Sequence, residues 1–186
     1  MRILSVMMML VAVASARAGE MDRAPQRRVT VCSAPGTDFT VPRAQTIATG
    51  MFAGIGVGIE WKSERACPPD AIRITFSYET DRELLPGALA YALPYEGTHI
   101  VVFYDRLKDP GRPDRLPGVL AHVMAHEITH ILQGIHRHSE SGVMKAQWTR
   151  EDFNEMVFKP LPFTNMDVVL IRNGLDAWER RMASPR

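Results

Sequence analysis

The sequence predicts one α/β domain, with its sheet built in the first half of the chain and helices filling the second. Two observations lead there. Alternating, β-branched runs recur up to Tyr104 with one helical stretch among them, whereas from Pro117 onward the apolar residues recur at helical spacing. The chain has 186 residues, 46% of them hydrophobic, which suffices for one domain with a real core and not for two.

The elements follow in order. Arg2, the apolar run from Ile3 to Ala14 and the small-residue site Ala16-Arg17-Ala18 read as a secretory signal peptide over residues 1–18; the run is too short to span a bilayer. A buried N-terminal helix or a membrane anchor fits the cleavage site less well. Residues 19–186 form the domain, opening on a loose polar stretch to residue 28. Val29-Thr30-Val31-Cys32 alternates as a strand. Ala44 to Phe52 reads as a short helix with Ile47 and Met51 on one face. Further strands are expected at Val57 to Trp61 and at Ile72 to Phe76. The segment Pro86 to Pro94 is apolar but bounded by prolines, as suits an edge strand. Thr98 to Tyr104 is the most strand-like run.

A proline- and charge-rich turn from Asp109 to Arg115 leads into a long helix, with Pro117 in its first turn and Gln133 near its end. Its length is roughly 25 Å at 1.5 Å per residue. Thr149-Arg150-Glu151-Asp152 and Thr164-Asn165-Met166-Asp167 resemble capping boxes. Val168, Ile171, Leu175, Trp178 and Met182 form one face of a last amphipathic helix.

Charge excludes some functions. The formal net charge is +1, and loss of Arg2 and Arg17 with the signal peptide leaves the domain near neutrality. That is no footprint for nucleic acid or for an anionic membrane, and after cleavage no stable membrane insertion is expected. The two cysteines, Cys32 and Cys67, favour a disulfide in an exported chain; neither has a CxxC partner, which disfavours metal ligation.

Five of the six histidines fall between positions 122 and 138. His126 and His130, four apart, project from one helix face, so both imidazoles can bind one metal ion. Glu127 between them can reach solvent at that metal, and each part of His126-Glu127-Ile128-Thr129-His130 thus has a mechanical reason. A catalytic zinc wants three protein ligands and an open position. Gly134 should end the helix, after which His136 or His138 can approach the metal from the other side. His122, one turn earlier, is expected to be a packed core histidine. Glu151 is expected to be an ordinary first-turn acid.

HExxH, a nearby glycine, a further histidine and a methionine-bearing turn together resemble the metzincin clan of zinc metallopeptidases, whose pattern is HExxHxxGxxH followed by a Met-turn. The resemblance covers residues 126–144 closely and the preceding strand-helix-strand order loosely. It implies a mixed, twisted sheet, a long zinc-binding helix, a Met-turn at Met144 forming a hydrophobic floor beneath the metal, and C-terminal helices. It also implies an edge strand around Leu89, Ala90 and Tyr91 that aligns an extended peptide by β-augmentation.

This sequence departs from the clan in two places. Gly134 stands one residue late, giving HExxHxxxG. His136 keeps the usual distance from His126 but lies only two residues past the glycine, while His138 lies four past it. An extra helical residue rotates all that follows, so counting from His126 is less reliable than counting from the turn; the resemblance, with His136 left as the alternative, favours His138 as third ligand. A histidine there followed by Ser-x-x-Gly-Val-Met is similar to small bacterial metzincin-like sequences. The second departure is the lack of any tyrosine after Tyr104, which some metzincins use beside the Met-turn.

The expectation is a secreted or periplasmic, monomeric zinc endopeptidase that acts on peptides or proteins, with one Zn2+ and Glu127 as general base. An exported zinc-binding module without turnover and a cell-wall peptide amidase are the alternatives.

Overall fold

A computed structural model of the protein describes residues 27–34, 39–92 and 97–183, with side chains described to residue 180. The expected signal peptide and Leu93 lie outside these residues. The elements are β1 (Arg27–Ser33), α1 (Thr40–Ala53), β2 (Val57–Ser63), β3 (Ile72–Ser77), β4 (Ala90–Ala92), β5 (His99–Phe103), α2 (Tyr104–Leu107), α3 (Leu116–Gln133), α4 (Arg150–Glu155) and α5 (Asn165–Ala183).

Five strands form one mixed sheet in the order β2-β1-β3-β5-β4. β1 pairs in parallel with β2 and β3, and β3 in parallel with β5. Parallel neighbours need a crossover, and α1 provides it between β1 and β2. The short β4 runs antiparallel to β5, with Tyr91 opposite Val101, and closes one edge of the sheet. Cys32, buried in β1, is bonded to Cys67 in the loop after β2 at a Cα–Cα distance of 5.8 Å.

α3 explains the arrangement around it. Every residue from Gly118 to Gln133 is buried. A helix buried on all sides lies in the middle of a domain, and α3 packs against α1, β4, β5 and α5. Gly118 and Gly174 permit close approaches at the two ends of α3: a Cβ on the first would meet Met156 O at 2.4 Å, and one on the second would meet Leu132 O at 1.7 Å. The last helix buries Ile171 and Leu175 against the core, as its periodicity predicts.

Two local differences from the sequence reading have visible causes. The strand expected to reach Tyr104 ends at Phe103, and Tyr104 instead opens the single turn of α2. There Asp105 accepts hydrogen bonds from Thr80 N and Oγ1 at 3.1 and 2.7 Å. Arg106 donates to the carbonyls of Asp81, Leu84, Leu85 and Ala88 at 2.6–2.9 Å. These long-range side-chain bonds tie the loop before β4 to α2. The edge strand itself has only three residues, and Leu89 precedes it, its carbonyl accepting from Phe103 N at 2.9 Å.

Candidate metal centre and cleft

The candidate ligands stand at the C-terminal end of α3 and in the turn after it. Gly134 adopts φ 66°, ψ 18° and ends the helix, its N–H donating to His130 O and Ile131 O. That left-handed step suits glycine and reverses the chain, so that residues 135–144 fold back over the last turn of α3.

The reversed chain presents its carbonyls to the helix histidines. Val143 O lies 2.9 Å from His126 Nδ1, and Ile135 O lies 3.3 Å from His130 Nδ1. A carbonyl only accepts, so each Nδ1 carries the proton and each Nε2 of the neutral ring keeps a lone pair. Those two Nε2 atoms face each other at 3.0 Å. Two lone pairs at that distance repel unless a cation sits between or beside them. His138 completes the group: one nitrogen from each of His126, His130 and His138 lies within 4.8 Å of the others. The donor chemistry fits a single metal ion held by three imidazoles, with each helix histidine oriented by a carbonyl behind it.

Burial favours the neutral, ligating form. Desolvation, helped by the neighbouring imidazoles, pulls His126 down to about 4 and His130 to about 3, and burial also lowers His138. Glu127 is 8% exposed and lines the same cleft; burial pushes its carboxyl up to about 8, and a cation beside it would bring that value down.

The remaining candidates take different places. His136 stacks face to face on the His130 ring, with centroids 4.8 Å apart and planes 10° apart, and lies 5.2 Å from His138. It lines the cleft but is not part of the converging triplet. Met144 is fully buried, one residue beyond the carbonyl that orients His126, and its own carbonyl accepts from Ser139 N at 2.7 Å. His122 is spent on the backbone: its Nδ1–H donates to Gly118 O at 2.7 Å and its Nε2 accepts from Leu161 N at 2.8 Å. Glu151 lies in the first turn of α4, where Thr149 and Asp152 form a capping box.

The cleft has a volume of about 520 Å3. One side is the edge of the sheet, with Leu89, Ala90 and Tyr91; the other carries Ala146, Gln147, Trp148 and Phe153. The sequence gives little notice of Trp148, whose ring stands edge-on to His126 at 5.6 Å. Nor does it announce Asp167, which reads there only as a helix cap and here lies fully buried behind the turn. Its one signal is the capping box itself, which places Asp167 at the start of the helix that packs on α3.

No protein-family model and no curated relative matches the chain by sequence. Two solved structures resemble it in fold. An archaemetzincin from Methanopyrus kandleri aligns with a TM-score of 0.50 and 16% identity over 84% of this chain and 99% of that one. A zinc-dependent peptidase from Methanocorpusculum labreanum aligns with a TM-score of 0.56 and 11% identity over 77% and 99%. The chain thus shares its overall fold with these two solved structures, one of them a zinc-dependent peptidase.

Proposed function

We propose that the protein is a zinc-dependent peptidase in which His126, His130 and His138 hold the metal and Glu127 moves the proton. The observation that carries this reading is the pair of Nε2 lone pairs facing each other across 3.0 Å with both Nδ1 atoms committed to carbonyls. Three imidazoles suit zinc, and a three-ligand set leaves the open position that a catalytic site needs. The shared architecture of the two archaeal proteins supports the same reading.

Zinc held there supplies Lewis acidity, acidifying water and polarising a carbonyl oxygen. The chain's own residues do the rest. Glu127, on the helix turn that carries His126 and His130, accepts a proton at a carboxylate oxygen as water attacks the carbonyl carbon. The same oxygen returns that proton to the departing amine nitrogen as the C–N bond breaks. Leu89, Ala90 and Tyr91 at the sheet edge align an extended peptide as an added strand, with side chains pointing alternately into and away from the cleft. Met144 underlies the metal as apolar packing.

The test is a pair of variants. Glu127→Ala keeps zinc and loses hydrolysis of a mixed peptide library, whereas His130→Ala loses the metal. Full turnover by zinc-loaded Glu127→Ala protein rejects the mechanism.

We propose further that residues 1–18 are removed on export and that residues 19–186 act as one domain in the periplasm or outside the cell. The Cys32–Cys67 disulfide supports that assignment, because such bonds persist in oxidising compartments. N-terminal sequencing of the protein recovered from its producing cell checks it: the reading expects a start at Gly19, and an intact Met1 in the cytoplasm overturns it.

A further inference from the structure

Asp167 is fully buried, lies outside the proposed chemistry, and binds the residues on both sides of His138. Its Oδ1 accepts from Ser139 Oγ at 2.6 Å and from Arg137 Nη1 at 3.2 Å. Arg137 Nη1 also donates to Ser139 Oγ at 3.1 Å. Its Oδ2 accepts from Thr164 N at 2.9 Å and from Thr164 Oγ1 at 2.7 Å, and Thr164 Oγ1 accepts from Asp167 N at 3.2 Å. The reciprocal pair is a capping box at the start of α5.

A capping box needs one carboxylate oxygen and leaves the side chain near the surface; this one is buried and its second oxygen is turned to the 137–139 segment. A buried carboxylate is costly unless it is hydrogen-bonded throughout. Asp167 meets that condition only while residues 137 and 139 stay where they are. Ser139 is further fixed by its own N–H on Met144 O. His138 therefore sits between two residues pinned to one anchor, whereas His136, on the helix-proximal side of Arg137, is not bracketed in that way.

We infer that Asp167 is a positioning residue for the metal centre: it fixes the backbone on both sides of His138 and thereby presents that imidazole to the ion held by His126 and His130. The inference rests on the proposed ligand set and assigns Asp167 a role beyond capping α5. It also gives a physical reason why position 138 rather than 136 completes the triplet. The helix stops one residue late, and the buried anchor defines where the returning chain is held.

The test is a double-mutant cycle read by zinc affinity, measured by competition with a chromophoric chelator on full-length purified protein. Asp167→Asn keeps the shape but turns an NH2 group toward either Thr164 N–H or the Ser139 and Arg137 donors. Zinc binding should weaken about 10-fold or more, the range seen when groups behind a ligand are removed. In a His138→Ala background, already weakened, the same substitution should change zinc affinity less than about 2-fold, because the ligand it positions is gone.

Equal losses in both backgrounds, or an unchanged zinc affinity with only a lower melting temperature, would show a purely structural cap and overturn the inference. If Asp167→Asn does not fold, Ser139→Ala serves instead. It removes one bond to Oδ1 and leaves the Thr164 box intact, and it should weaken zinc binding measurably only while His138 is present. Failure of the wild-type protein to bind zinc would reject the proposed metal centre and this inference with it; normal wild-type binding unmoved by both variants rejects the inference alone.

Discussion

The two halves of α3 carry histidines that look alike in sequence and differ in what their nitrogens do. In the first half, His122 has both ring nitrogens satisfied by backbone, one on Gly118 O and one by Leu161 N. In the second half, His126 and His130 each have one nitrogen on a carbonyl and the other turned toward a common point. All three sit on one helix face, one turn apart. What separates them is the chain that covers them. The segment around Leu161 offers a donor to His122, whereas the turn after Gly134 offers acceptors to His126 and His130. A donor uses up the lone pair a metal needs; an acceptor fixes the proton on Nδ1 and leaves that lone pair free. Proposed ligand and core histidine are thus distinguished by the polarity of the backbone facing them.

That contrast can be broken in four ways. The largest effect is expected for His130→Ala, which should weaken zinc binding by about 10^3-fold, one ligand's share of a typical site, as measured by chelator competition. His122→Ala should leave zinc affinity unchanged and lower stability by about 2–4 kcal/mol, since it opens a cavity and strands the Leu161 N–H; chemical denaturation checks this. A shift in zinc affinity in that variant would erase the distinction between the two halves. Gly174→Ala places a Cβ at 1.7 Å from Leu132 O, so α5 must move off the end of α3 at a cost of about 1–3 kcal/mol. Its melting temperature should fall, with some loosening of the metal. The smallest effect is expected for His136→Ala. Removing a ring that stacks on His130 without joining the triplet should change zinc affinity less than about 10-fold, and a loss as large as that of His138→Ala would make it a ligand.

Much of this was legible in the residues. The strands at Val29–Cys32, Val57–Trp61 and Ile72–Phe76 announced themselves by alternation, and each observed strand contains the expected run. The helix from Pro117 to about Gln133 is readable because its start and its stop at Gly134 are written in single residues with special backbone chemistry. Both capping boxes close as their spacing suggests. Less was visible where long-range side-chain bonds decide. α2 exists because Asp105 and Arg106 hold a loop some twenty residues upstream, and no local pattern at Tyr104 signals it. The different surroundings of His136 and His138 have the same origin. Arg137 and Ser139 are bound by a carboxylate at 167, and neither spacing nor periodicity can report a contact across that distance.

The proposed chemistry depends on three imidazoles that hold one zinc ion and leave it a free corner beside Glu127. X-ray absorption at the zinc edge of the purified protein tests it most directly. One zinc per chain is expected, with three imidazole nitrogens at about 2.0–2.1 Å and at least one further light-atom ligand that exchanges with added small anions. Four imidazoles with no exchangeable position, or a protein that retains its zinc when His126 and His130 are both replaced, would contradict it.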